Sequence, residues 1–287
     1  MFHRHHHTLT QSPTQCRRRG GGRGGDRLRG MELSSSESGW HPSQLFLNNR
    51  YWILRHGKSI PNQRALIVSS LENGILDEYQ LASDGVHQAR LAAQSFLKAI
   101  KSLLVNKWFF HTATALLEEL KEKESSLESV RICYSPFSRT RHTAKVVASV
   151  LDIPFEGSQC KVIPDIRERF FGPSFELKSH DKYPEIWAMD EKDPFMQPEG
   201  GESVDDVVTR LTKALAIMES EFQECTVLIV SHGDPLQILQ TILSAAKEQA
   251  TSPANDLTSR IQAIRVPSVL SQHRKFALNT GELRQLV

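Results

Sequence analysis

The sequence predicts an α/β fold, a three-layer α/β/α sandwich around a mostly parallel central sheet. Two observations carry that expectation. Short apolar runs of strand character recur along the chain, "YWIL" at 51–54, "VRICY" at 130–134 and "VLIV" at 227–230. Between them lie segments whose apolar residues repeat with the helical period, so strands and helices alternate as in βαβ units.

The elements follow in order. Residues 1–44 are expected to be a disordered tail, because "CRRRGGGRGGDRLRG" and "SSSESG" are rich in Gly, Arg and Ser and lack apolar periodicity. The folded domain is expected over 45–287. Its first strand covers Tyr51–Leu54. A helix follows over Asp84–Lys101, with Val86, Ala89, Ala93, Phe96 and Leu97 on one face. The stretch 105–126, "VNKWFFHTATALLEELKEKESS", fits neither pattern and is expected to be an insertion. The second strand is Val130–Tyr134. The helix after it runs over Arg139–Leu151, with Ala144, Val147, Ala148 and Leu151 spaced i, i+3, i+4, i+7. "CKVIPDI" at 160–166 is a further candidate strand. The helix Val204–Phe222 carries one apolar stripe through Val207, Val208, Leu211, Leu215 and Met218, and Ser203 is its natural N-cap. Val227–Val230 is an unbroken apolar strand, and Pro235 suits the first turn of the helix after it. "RKFALNT" and "ELRQL" flank a turn at Thr280–Gly281 and are expected as edge strands.

Composition narrows the function classes. The 287 residues are 39% hydrophobic and 24% charged, as in ordinary globular proteins. The net charge is +2, but residues 1–30 hold seven Arg and one Asp. The rest holds 28 Lys and Arg against 32 Asp and Glu, a net of −4, so the folded domain is expected not to bind nucleic acid. No apolar run approaches the roughly 20 residues that span a bilayer, and no membrane partner is expected. The four cysteines, at 16, 133, 160 and 225, have no metal-ligand spacing, and Cys133 and Cys225 are expected to be buried thiols. They favour a reducing compartment, and a cytoplasmic location is expected, with organelle targeting through the Arg-rich N-terminus as the alternative. "HRHHH" at 3–7 has no partners for a metal site. The oligomeric state is left open.

In open α/β sheets, ligands bind beyond the carboxyl ends of the strands. After the first strand come Arg55, His56, Gly57, Lys58, Ser59 and Asn62. After the second come Ser135, Pro136, Arg139 and Thr140, and after the Val227–Val230 strand come Ser231, His232, Gly233 and Asp234. Three strand ends therefore send two histidines and two arginines to one rim. Arginine forks match the oxygens of phosphate or carboxylate, and histidine serves as nucleophile or acid–base. A phosphate monoester is the candidate ligand.

These residues sit in five ordered motifs. Arg55-His56-Gly57 with Ser59 and Asn62 resembles the RHGxSxxN signature of the histidine phosphatase superfamily, the phosphoglycerate-mutase-like fold. "SPFSRTRHTA" at 135–144, "IRERFFG" at 166–172, "PEGGES" at 198–203 and "VSHGD" at 230–234 are similar to the family's later motifs. The resemblance implies that His56 is the nucleophile, that Arg55, Arg139, His232 and Asn62 bind the phosphoryl oxygens, and that Glu168 is the acid and then the base. It implies catalysis by His56, Glu168 and His232 on a small phosphorylated substrate through a phosphohistidine, with no cofactor and no metal. His56 is then expected to donate its second ring nitrogen to a backbone carbonyl, and His232 to be cationic. Glu168 is expected to hold a raised pKa against Phe170 and Phe171. The sugar-phosphate mutases of the family follow the first motif with Phe-x-Gly-Trp-x-Asp; here stands "LIVSSLENGILDEYQLASDG" at 66–85, which favours a phosphatase over a mutase. A non-catalytic phospho-ligand scaffold is a further alternative, set back by the presence of both His56 and Glu168.

Other readings fall on the residues. "GKS" at 57–59 mimics a P-loop, but Trp52 stands where that motif needs glycine. No G-x-S-x-G elbow is present. Lys58 is expected to be a solvated charge. Arg169 and Glu176 either reach substrate or form structural ion pairs; His180 and Lys182 belong to a lid or are ordinary loop polars. His87, His111, His142 and His273 are expected to be structural.

Overall fold

The computed structural model describes residues 47–107, 127–248 and 256–286. The tail 1–44, most of the stretch 105–126, and His111 lie outside the described residues.

Strand β1 (Arg50–Arg55) leads through one-turn helices at Ile60–Gln63 and Leu71–Gly74 into helix α1 (Ser83–Lys107). Then come β2 (Val130–Tyr134), α2 (Ser138–Leu151) and the short β3 (Cys160–Val162). A long connection holds α3 (Tyr183–Lys192); α4 (Val204–Glu221), β4 (Thr226–Ser231) and α5 (Gly233–Glu248) follow. Two short helices, α6 (Leu257–Ala263) and α7 (Pro267–Leu270), precede β5 (Leu283–Gln285). The sheet order is β3-β2-β4-β1-β5, parallel throughout except for β5, which pairs antiparallel with β1.

β4 lies at the centre and is buried along its whole length, as a parallel strand covered on both faces should be. Its side chains alternate between two cores. Val227 and Ile229 join Tyr51 and Ile53 under α4 and α5, with Val207, Leu211, Leu236 and Leu239. Leu228 and Val230 join Leu54 and Ile132 under α1 and α2, with Phe96, Ala144 and Val147. Those two cores are the two interfaces of the three-layer sandwich. Cys133 and Cys225 are buried thiols. Among the described residues, no helix is long and apolar enough to cross a membrane.

Ser203 caps α4 in a capping box with Asp206, and Pro235 sits in the first turn of α5. Three segments depart from the sequence expectation. "CKVIPDI" is a strand only over Cys160–Val162, because Pro164 begins a 3₁₀ turn. "ELRQL" supplies β5, but "RKFALNT" is no strand. Its first residues form a 3₁₀ turn at His273–Phe276, and side chains take the carbonyls a partner strand would need. Gln240 donates to Phe276, Arg284 to Ala277 and Arg55 to Leu278. The third segment is α3, which no apolar stripe announces; it buries only Ile186 and Asp190.

Candidate active site

Strand register assembles the site. Arg55 pairs with Ser231 across β1 and β4, so the next residues, His56 and His232, emerge side by side. Their rings meet edge to face with centroids 5.2 Å apart. Tyr134 pairs with Val230, which brings Ser135 beside His232. The chain after His56 must then pass very close to α1: a β-carbon on Gly57 would lie 2.2 Å from the Gly85 carbonyl oxygen. Only glycine fits there. The Gly57 N–H donates to Thr143 Oγ1 of α2, which ties this turn to the helix that carries Arg139.

His56 is 2% exposed, and its Nδ1 lies 2.7 Å from the Gly57 carbonyl oxygen. A carbonyl only accepts, so Nδ1 carries the proton and Nε2 keeps its lone pair. Nε2 accepts from Arg139 Nε at 3.1 Å. Burial first, then the charges of Arg139 and Arg55, hold the His56 pKa well below its ordinary value. The expected tautomer of a nucleophilic imidazole is therefore present.

Arg139 stands in the first turn of α2 and is buried. Its Nη2 donates to the Val68 carbonyl at 3.0 Å and lies 3.4 Å from Glu168 Oε2. Arg55 donates through Nη1 to the Leu278 carbonyl at 2.6 Å. Glu168 Oε1 accepts from the Arg169 N–H at 3.1 Å, and its Oε2 lies 3.6 Å from His232 Nδ1. Burial pushes the Glu168 carboxyl up to about 7, against the pull of Arg139 and with the help of Asp234. The raised value is the expected one, and burial is its leading cause; Phe171 packs with Ile67 and Ile186.

His232 corrects an expectation. It is fully buried, and burial, followed by the Arg139 charge, holds its pKa well below the ordinary value, so the ring is neutral rather than cationic. Ser135 Oγ lies 2.7 Å from His232 Nε2 and accepts from the Phe137 N–H at 3.4 Å. With Ser135 donating to Nε2, the ring proton sits on Nδ1, on the side of Glu168; with the roles reversed it sits on Nε2.

Three buried nitrogens in this cluster have no partner: Arg55 Nε, Arg139 Nη1 and His232 Nδ1. A buried unpaired donor costs about 1–3 kcal/mol. Oxygens of an anion are the complementary partners of such donors. Asn62 lies in the one-turn helix after β1 and bonds Ser59. Its Oδ1 accepts from Ser59 N and Ser59 Oγ in a capping box, which leaves its amide NH₂ for a ligand.

The remaining sequence candidates have side-chain partners outside His56 and Arg139. Lys58 pairs with Asp84 on the surface. Glu176 fastens one loop by accepting from Ser69, Ser70 and Asn73. His180 contacts the Leu66 carbonyl, and Lys182 pairs with Glu185 in solvent. Arg169 is a fully buried ion-pair partner of Asp190. Ligand atoms of Asp190, Asp234 and His273 lie within 4.8 Å of one another, but Arg169 bonds both carboxylates, so the grouping is an ion-pair network rather than a metal site. Sequence reasoning gave no role to Ser135 or to Tyr183. The Tyr183 hydroxyl pKa is raised by burial and then by the charges of Glu168 and Asp234, which places the ring against the site. Its only sequence signal is an aromatic in the "KYPEIW" stretch.

Comparisons with known proteins bear on the fold and the family. No curated protein sequence matches the chain. Among solved structures, "Mycobacterial hydrolase 1" shares 18% identity over 82% of this chain and 90% of its own, with a TM-score of 0.54. A mycobacterial glucosyl-3-phosphoglycerate phosphatase in complex with VO3 shares 19% identity over 82% of this chain and 91% of its own, also with a TM-score of 0.54. At such identities these likenesses show the fold. The sequence model of the histidine phosphatase superfamily (branch 1) matches residues 111–264, more than half of the chain, including Arg139, Glu168 and His232. The chain belongs to the histidine phosphatase superfamily, branch 1.

Proposed function

We propose that this protein is a phosphomonoesterase that hydrolyses a small phosphorylated metabolite through a phosphohistidine on His56. The observation that carries the reading is the pairing of His56 Nε2, unprotonated, with a Glu168 carboxyl whose pKa lies at about 7. One supplies a nucleophile and the other a proton at the same pH.

In the first step the Nε2 lone pair attacks phosphorus. The bond from phosphorus to the leaving oxygen breaks, and Glu168 gives that oxygen its proton. In the second step a water attacks the phosphohistidine, Glu168 takes a proton from the water, and the P–N bond breaks to return neutral His56. Phosphoryl transfer asks mainly for positioning and charge neutralisation. Arg139 and Arg55 supply the positive charge, and neutral His232 supplies a hydrogen-bond donor through Nδ1. Arg139 must exchange its bond to Nε2 for one to a phosphoryl oxygen, and its free Nη1 stands ready for a second.

Purified protein is to be assayed on an aryl phosphate and on a panel of phosphorylated metabolites, with His56→Ala as comparison. Turnover lost in the variant, together with an acid-labile, base-stable phosphoenzyme in the wild type, is the expected outcome. Equal inactivity of both proteins across the panel would make the fold a phospho-ligand scaffold. Transfer of the phosphoryl group to a second hydroxyl of the substrate in place of water would make it a mutase.

A further inference from the structure

Residues 167–172 form no helix or strand, so the backbone that carries Glu168 needs partners from elsewhere. Arg210 of α4, only 7% exposed, supplies most of them. A guanidinium has five N–H groups in one plane, and here every one is used. Nη1 donates to the carbonyls of Asp165 at 2.8 Å and of Arg167 at 3.0 Å. Nη2 donates to the Glu168 carbonyl at 3.3 Å and to Glu202 Oε2 at 3.2 Å, and Nε donates to Glu202 Oε1 at 2.9 Å. Ser231 Oγ, one residue before His232, donates to the Ile166 carbonyl at 2.6 Å. The carbonyls of four successive residues, Asp165 to Glu168, are therefore held by side chains of α4 and β4.

Glu202, just before the N-cap of α4, holds the far side of Glu168. Its Oε2 accepts from the Phe170 N–H at 3.0 Å, and its own N–H donates to the Phe170 carbonyl at 2.7 Å. Its carbonyl accepts from Arg169 Nε at 2.8 Å, and Arg167 Nη2 joins Arg210 on Oε1 at 2.6 Å. The contact is close enough that a β-carbon on Gly201 would lie 2.8 Å from the Phe170 carbonyl oxygen. From this backbone the Glu168 carboxylate reaches to 3.4 Å from Arg139 Nη2 and 3.6 Å from His232 Nδ1. His56 and His232 are placed by strand ends, whereas Glu168 has no regular element of its own. A misplacement of about 1 Å can cost roughly 10²-fold in rate. We propose that Arg210 and Glu202 are positioning residues that fix the Glu168 backbone and so aim its carboxyl at the leaving oxygen. This rests on Glu168 as the acid of the proposed hydrolysis.

The test compares leaving groups. Arg210→Lys keeps the charge but replaces a planar fork by one nitrogen, which cannot reach all of these acceptors. Its kcat/KM on an alkyl phosphate, whose leaving oxygen needs a proton, should fall by roughly 10–10²-fold, and on an aryl phosphate by less than about threefold. Added to Glu168→Gln, the same change should cost nothing more on the alkyl phosphate, because its effect runs through that carboxyl. Glu202→Gln, which turns an NH₂ toward donors, should give the same pattern and serves should the lysine variant not fold. Equal losses on the two substrates, or a further loss on top of Glu168→Gln, overturn the proposal and leave the two residues a role in stability alone. Amide hydrogen exchange reads the loop without turnover. The peptide over 165–172 should exchange at least about tenfold faster in Arg210→Lys while β1 and α1 stay as in the wild type. Unchanged exchange there also overturns the proposal. Should Glu168→Gln itself not distinguish the two substrates, or the wild type turn over no phosphomonoester, the acid reading falls, and the exchange still decides whether Arg210 holds the loop.

Discussion

Replacing Glu168 by glutamine should make the protein more stable in alkaline solution while removing its acid. Burial raises the carboxyl from its ordinary value of 4.5 to about 7 in the fold. Between those values the folded chain holds a proton that the unfolded chain has released. Stability therefore falls as pH rises through that window, and the loss is complete above the folded value. At about 1.4 kcal/mol per pH unit, the penalty for ionising Glu168 in place is roughly 3 kcal/mol. Glutamine resembles the protonated acid in shape and charge and carries no such penalty. Relative to the wild type, Glu168→Gln should be near neutral at about pH 4 and gain up to roughly 3 kcal/mol by about pH 8.5. Urea unfolding of both proteins across that range measures the difference, and groups that titrate alike in both cancel from it. A difference that does not change with pH, or that shrinks as pH rises, would falsify the placement of Glu168 as a buried, reluctant carboxylate. Kinetics give the second half of the test. Turnover of an alkyl phosphate should fall by roughly 10²–10⁴-fold in the variant. An aryl phosphate whose phenolate leaves unaided should lose much less. Equal losses on both substrates would mean that Glu168 is not the proton donor to the leaving oxygen.

Two further variants probe the scaffold under the site. Gly57→Ala would set a β-carbon 2.2 Å from the Gly85 carbonyl oxygen, so backbone must move. It should cost roughly 1–3 kcal/mol in urea unfolding and lower kcat by at least about tenfold, since the carbonyl that orients His56 belongs to the shifted residue. Glu219→Ala removes the acceptor shared by Asn48 N, Asn49 Nδ2 and the buried Tyr51 hydroxyl. It should cost roughly 2–3 kcal/mol with KM unchanged, while Glu219→Gln, which retains an acceptor oxygen, should cost less than half of that; equal costs for the two variants would count against the buried hydroxyl as the reason.

Much of this was legible because the signals were local. "VLIV" alternates between two helix-covered faces, and that pattern alone places it inside a sheet. Arg55 ends a strand, His56 and His232 directly follow one, and Arg139 opens the helix after one, so naming the strands also named the rim. Glu168 stood in a loop with no such marker and was reached through the family resemblance. Segments held by distant partners were not legible. Helix α3 buries Ile186 and Asp190, and Asp190 acquires its meaning only from Arg169, 21 residues earlier in the chain. "RKFALNT" has the composition of a strand, but Arg55, Gln240 and Arg284 claim its carbonyls.

The sequence by itself determined the layered α/β architecture, the parallel order implied by alternating strands and helices, and the strand ends that carry His56 and His232. Periodicity and chain order are properties of neighbours along the chain, and they survive without coordinates. Only the tertiary structure decided the protonation of the site. A ring nitrogen at 2.7 Å from the Gly57 carbonyl chooses the His56 tautomer. Full burial, with the charge of Arg139, holds His232 neutral, where the family resemblance implied a cation. Burial, with the charge of Asp234, carries Glu168 to about 7 against the pull of Arg139. Such quantities depend on which charges lie within a few ångströms and on how much water is excluded, and neither is written in the order of the residues.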